Sequence, residues 1–270
     1  MAKYSKKRAR ELKHDVFRDT TMNAFDRLGD RMEGQGRTII YAISAVLALA
    51  ILAGAYSWWS NRRADEARTA LGKAIEVAQT PVSPSPAPGS TTPTFPTERE
   101  RAERAVKEFQ AVAAKYGDPY RELARYFAAT NLLSVDPARG ITELEVVSKS
   151  GNDEVAARAK FALAQAREAD GKYDVAATLY NELANEKEAV ISSDTVKLRL
   201  AAVYEKQGKK DEAADILFKL VEAARKAQGK DGKSLPQTVA ARNAAQKLET
   251  LDPARYARLP PEPRSTDLPF

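Results

Sequence analysis

Apolar residues fall into two regimes along this chain. From Thr38 to Asn61 there is no formal charge for 24 residues, and Ile39–Ala53 is a run of Ala, Val, Leu and Ile broken only by Tyr41 and Ser44. Everywhere after it, apolar positions recur at spacings of three and four, the period of one face of a helix. Ala67, Leu71, Ala74 and Ala78 form a first stripe, and Ala102, Ala105, Phe109 and Val112 a second. Pro119 opens a third helix carrying Leu123, Ala124, Phe127, Ala128 and Leu132, and Pro137 stands in the first turn of a fourth, where proline is favoured. Further helix pairs are expected over 153–187 and 193–228, with a last helix over 236–250 marked by Ala240, Ala244, Ala245 and Leu248. No segment alternates as a strand does. The expected class is all-α.

The uncharged run is long enough to cross a bilayer, since about 20 apolar residues span a hydrocarbon core of roughly 30 Å. Tyr41 lies near one end and Tyr56, Trp58 and Trp59 near the other, the depths at which amphipathic rings settle. Tyr41, Trp58 and Trp59 are therefore the expected membrane anchors. Ala53-Gly54-Ala55 also has the small-x-small look of a cleavage site, but the 37 preceding residues far exceed a usual signal-peptide n-region. An uncleaved signal-anchor is the favoured reading. Ala50 and Gly54 have the small-xxx-small spacing that permits helix dimerisation, which leaves a homo-oligomer open.

Two helix pairs overlay at a shift of 37 residues. Leu163, Ala164, Gly171, Tyr173, Ala176 and Tyr180 match Leu200, Ala201, Gly208, Lys210, Ala213 and Leu217, with Tyr204 inside the second copy. This resembles the tetratricopeptide repeat. Small Ala164, Ala176, Ala201 and Ala213 let helices approach, and Gly171 and Gly208 supply the positive φ of a tight exit turn. The aromatic usually found early in the first helix is replaced by Lys160 and Lys197. In such a solenoid the first helices line a concave face, where Arg158, Phe161, Gln165, Glu168, Leu198, Ala202 and Glu205 are expected. Phe161 and Leu198 would contact apolar segments there, or else pack in the seam between helices.

Composition narrows the chemistry. Zero Cys removes disulfides, thiolate nucleophiles and Cys-ligated metals, and the one His, His14, lies in a highly charged N-terminal stretch. None of the 13 Gly forms a phosphate-binding loop. No catalytic residue, cofactor or metal site is expected. Residues 80–97 hold six prolines and read as an extended insertion, either at a hairpin tip or as a stalk spacer.

Charge bears on topology. Residues 1–37 carry ten Lys/Arg and six acids, with Lys3, Lys6, Lys7, Arg8, Arg10 and Lys13 clustered at the start. Leu12, Val16, Ala24, Leu28 and Met32 follow at multiples of four, an amphipathic helix suited to anionic lipid. The interleaved acids argue against nucleic-acid binding. Positive charge is retained on the cytoplasmic side, so the N-terminus is expected inside and the long C-terminal part outside. The expected organisation is a basic segment 1–37, a span 38–61, a membrane-proximal helix 62–79, the proline insertion 80–97, repeats 98–250 and a proline-rich tail 251–270.

Taken together, the basic start Lys7-Arg8-Ala9-Arg10-Glu11-Leu12-Lys13, one span ending in Tyr56-Ser57-Trp58-Trp59, a continuing helix with Ala67 and Ala70-Leu71, and degenerate repeats resemble the YfgM-like family of membrane-anchored tetratricopeptide proteins. That resemblance implies a bacterial inner-membrane protein associated with the Sec translocon, its repeat domain in the periplasm among chaperones and emerging chains. A membrane-anchored scaffold for envelope or cell-division machinery is the alternative.

Overall fold

The computed structural model describes residues 36–85, 93–186, 190–230 and 233–262, with side chains from Ile40 onward. The basic cluster, His14 and the amphipathic stripe Leu12–Met32 lie outside the described residues. The chain divides into two compact units, residues 1–64 and 65–270, and each is taken separately.

The first unit holds most of helix α1, Gly36–Gln79. From Ile40 to Trp59 every side chain is exposed. Among the described residues, this is the one helix long and apolar enough to cross a membrane. Tyr41 is 71% exposed, and Trp58 and Trp59 are 65% and 51% exposed. At the exit, the Arg62 guanidinium lies 5.6 Å from the Trp58 ring and that of Arg63 lies 5.2 Å from Trp59. A cation over a π face one turn away suits the headgroup layer, where ring and charge both find partners.

The second unit is all helix apart from its connections, and no strand occurs among the described residues. It begins with the end of α1 and continues through α2 (Glu98–Lys115), α3 (Tyr120–Leu132), α4 (Pro137–Val147), α5 (Asp153–Ala169), α6 (Tyr173–Ala184), α7 (Ser193–Lys206), α8 (Lys210–Lys226), α9 (Val239–Leu251) and the single turn α10 (Pro253–Tyr256). Helix starts are chemically marked. Thr97, Asp136, Asn152, Thr238 and Asp252 each accept a hydrogen bond from a backbone N–H three residues on, at 2.9–3.2 Å. Each cap contributes about 1 kcal/mol.

Consecutive helices pack into antiparallel hairpins and the hairpins stack. Four apolar layers follow one another along the stack. The first gathers Ala67, Leu71 and Ala74 of α1 with Phe109, Val112, Ala124 and Ala128. The second holds Ala129, Leu144, Val147, Val155 and Leu163. The third holds Ala164, Ala176, Tyr180, Leu183, Val196 and Leu200, and the fourth Ala201, Ala213, Leu217, Val221, Ala244 and Leu248. Each layer borrows from neighbouring hairpins, so no hairpin buries its faces alone. The fold is a helical-hairpin solenoid resembling the tetratricopeptide type.

The repeat is visible in backbone geometry. Gly171 and Gly208 are left-handed, at φ 72° and 76°. After each, the next N–H reaches five residues back, Lys172 to the Arg167 carbonyl and Lys209 to that of Tyr204, both at 2.9 Å. The glycine N–H groups bond the carbonyls of Glu168 and Glu205 at 3.1 and 3.0 Å. These are two copies of one helix-ending motif, 37 residues apart.

Three local features sharpen the sequence reading. The membrane-proximal stripe is no separate element but the end of α1. The proline insertion is pinched at its base, where Ser83 N–H donates to the Phe95 carbonyl at 2.9 Å and Phe95 N–H to that of Pro81 at 3.0 Å. The proline-rich tail begins with an ordered turn, Pro253–Tyr256, capped by Asp252.

Candidate protein-binding site

Helix α5 is started by Asn152, whose side chain accepts from Val155 N–H at 3.1 Å, and it carries Asp153 and Glu154 in its first turn. Its 3.6-residue period then sends Ala157, Ala164 and Leu163 inward. Arg158 is exposed and forms an ion pair with Glu154 at 2.7 Å, one turn earlier. Phe161 is half-buried, its ring edge-on to Tyr180 with centroids 5.7 Å apart. Gln165 is half-buried. On α7, Leu198 and Ala202 are half-buried, with Leu198 against the fourth layer, and Glu205 is exposed.

Glu168 departs from its expected place on an open face. It is only 9% exposed, with one carboxylate oxygen 2.9 Å from Lys206 Nζ and the other accepting from Tyr180 Oη at 3.3 Å. The reason is stacking: α6 lays its phenol, and α7 its terminal lysine, over the end of α5. Glu168 therefore bolts three helices together instead of facing a partner. One repeat later Glu205 makes the corresponding cross-repeat pair, to Lys247 of α9 at 3.0 Å. There the position of Tyr180 is occupied by Leu217, which has no hydroxyl to donate.

The electrostatics follow from this packing. Burial, reinforced by the Glu168 charge, pushes the Tyr180 phenol far above its ordinary range. Burial also raises Tyr126, with Arg158 pulling the other way. Lys206 is raised by its bond to Glu168. Lys160 stands where an aromatic was expected and reaches Glu182 and Glu186 at 3.3 and 3.2 Å. Burial alone would lower its pKa, but those two carboxylates outweigh it and raise the value.

Of the residues expected on the binding face, Arg158 and Glu205 are exposed and each paired with a neighbour, and Phe161, Gln165, Leu198 and Ala202 are half-buried. Residues of this kind can supply modest apolar contact and exchangeable ion pairs to a partner. Among the described residues no group of three or more His, Asp or Glu is placed to hold a metal. Lys206, Lys247 and Tyr126 were not singled out in the sequence. A lysine 38 residues beyond Glu168, in repeats of 37, is the signal that would have found Lys206.

No family model and no curated protein matches the chain. Among solved structures, two of a putative kinesin light chain from Podosopora anserina with nearly identical TPR-like repeats, one of them a variant, are similar to it. Each is 16% identical, covers 71% of this chain and 87% of its own, and superposes with a TM-score of 0.47. The repeat assignment stands on the duplicated glycine turns and stacked layers within this chain. Helical repeats of this kind generally mediate protein–protein contacts, and one apolar helix is consistent with a single-pass anchor.

Proposed function

We propose that this chain is a single-span membrane adaptor whose helical-repeat domain binds proteins on the far side of the membrane from its basic N-terminus. The observation that carries the reading is α1 itself. One helix contains both a fully exposed apolar stretch, Ile40–Trp59, and the residues Ala67, Leu71 and Ala74 that complete the first layer of the repeat domain. An anchor and a binding domain that share a helix point to capture at a membrane. The order of elements, similar to that of the YfgM-like family, supports a role beside the Sec translocon, holding emerging chains or passing them to chaperones. The residues proposed to meet the client are Arg158, Phe161, Gln165, Leu198, Ala202 and Glu205.

Topology tests this first, and the absence of cysteine makes the test clean. Ser85→Cys and Ser5→Cys variants are challenged with a membrane-impermeant maleimide in cells whose outer layer has been permeabilised. Labelling of Ser85→Cys alone is the expected result. Labelling of Ser5→Cys alone, with Ser85→Cys reactive only after lysis, would place the repeats in the cytoplasm and end the proposal. A photo-crosslinker at Arg158 then distinguishes partners. Adducts to translocon subunits or chaperones support the adaptor, and adducts confined to cell-wall enzymes select the envelope scaffold.

A further inference from the structure

Helix α9 packs on α7 and α8 as the first helix of a further hairpin would. Among the described residues, the single turn α10 and residues 257–262 follow it and lie where the second helix of such a hairpin would. Arg255 Nη1 donates to the Asp211 carbonyl at the start of α8 at 3.0 Å, and Arg225 Nη1, near its end, donates to the Pro260 carbonyl at 2.6 Å. Those positions on α8 are separated by about 21 Å of helical rise. Residues 255–259 are wound in turns, with Arg258 N–H donating to the Arg255 carbonyl at 3.1 Å and Leu259 N–H to that of Tyr256 at 3.0 Å, and the two long arginine side chains supply most of the reach. The segment therefore lies along α8 as a compact turn bridged at both ends by arginines, with Tyr256 and Leu259 packed against the fourth layer.

Arg225 is the unusual group in this groove. Its side chain is 6% exposed, it stacks 5.7 Å from the Tyr256 ring, and its Nε–H is buried without an acceptor. The one carboxylate it meets is Glu262, which is 67% exposed and sits at 3.4 Å. A buried guanidinium with an idle donor is poorly satisfied, and a carboxylate approaching in the bidentate geometry would satisfy it better. The resident segment displays the chemistry that the groove accepts: an apolar side chain from Leu259, a carbonyl with no neighbouring N–H from Pro260-Pro261, and an acid from Glu262.

We infer that the groove along α8 is an acceptor site for turn-forming, proline-containing acidic segments of a partner protein, with Arg225 as its anchor and residues 257–262 as an intramolecular occupant that the partner displaces. This extends the protein-binding reading without depending on membrane topology or on the α5–α7 face, so either can fail alone.

The test uses the full chain in nanodiscs and a fluorescein-labelled peptide of residues 252–262, read by anisotropy. Weakening the resident segment with Leu259→Ala raises the fraction of open groove, and apparent affinity scales with that fraction. Peptide binding is expected to be about tenfold tighter than to the unaltered chain, and to be lost when Arg225→Gln is added. A scrambled peptide should not bind. If Arg225→Gln abolishes the cooperative melt, the Glu262→Gln peptide replaces it and is expected to bind several-fold more weakly to the Leu259→Ala chain. Equal binding by the unaltered and Leu259→Ala chains, or indifference to both the arginine and the peptide acid, overturns the inference. So does a Leu259→Ala chain that takes up no peptide but elutes as a dimer, because the occupant would then be a second copy's tail.

Discussion

Glu168 and Glu205 occupy the same place in successive repeats, yet their removal should have very different consequences. In Glu168→Ala, Tyr180 Oη loses its acceptor within a fully buried side chain, and an unsatisfied buried hydroxyl costs about 1–3 kcal/mol. The pair with Lys206 adds less than 1 kcal/mol, since Lys206 is 46% exposed and screened by solvent. A total of about 2–3 kcal/mol is expected, which for a domain of this size lowers the melting temperature by roughly 5–10 °C. Glu205→Ala breaks a pair whose members are 41% and 45% exposed, with no buried donor behind it, and should cost at most about 0.5 kcal/mol. Glu168→Gln keeps an acceptor for Tyr180 and should fall between. Circular-dichroism melts and urea titrations of the three variants read the difference directly. Equal losses for Glu168→Ala and Glu205→Ala would refute the claim that the phenol, and not the ion pair, makes the first site stringent.

Three further outcomes follow from the same structure. Gly171→Ala and Gly208→Ala force a Cβ into left-handed backbone and should each cost about 1–2 kcal/mol by urea titration, although nothing lies within 4 Å of either added Cβ; neutral substitutions would show that these turns are not strained for L-residues. Phe161→Asp should reduce melting temperature and helicity together, by about 2–4 kcal/mol, because the buried side of its ring packs on Tyr180 and the third layer while only its open side is left for a client; an unchanged melt would refute that packing role. Alkaline pH should destabilise the fold. Tyr126, Tyr180, Lys160 and Lys206 all hold their protons more tightly when folded, so their contribution is complete below about pH 10 and is lost as pH rises through the folded values. Helicity and phenolate absorbance followed against pH should show the last tyrosines ionising together with unfolding, and their ionisation well before it would contradict the assignment.

Much of this architecture was legible in the chain because its determinants are local. A period of three and four residues specifies which face of each helix is buried, and the stripe Ala102, Ala105, Phe109, Val112 became a buried face of α2. Pro137 at the start of α4, the exposed apolar run and the positive φ of Gly171 and Gly208 likewise depend on residues within a few positions of each other.

What the sequence determined by itself is therefore the helices, their turns, the repeat of 37 and the candidate span. Tertiary structure decided which polar groups remain available. Glu168 and Glu205 are indistinguishable by spacing, but stacking places Tyr180 against the first and Leu217 at the matching point of the second. The same holds for Lys160, whose tolerance in an aromatic position depends on Glu182 and Glu186 arriving from α6. It holds again for Arg225, whose burial comes from a segment laid along α8 more than 30 residues later in the chain. Burial of a charge depends on what a distant helix lays over it, and no local period records that.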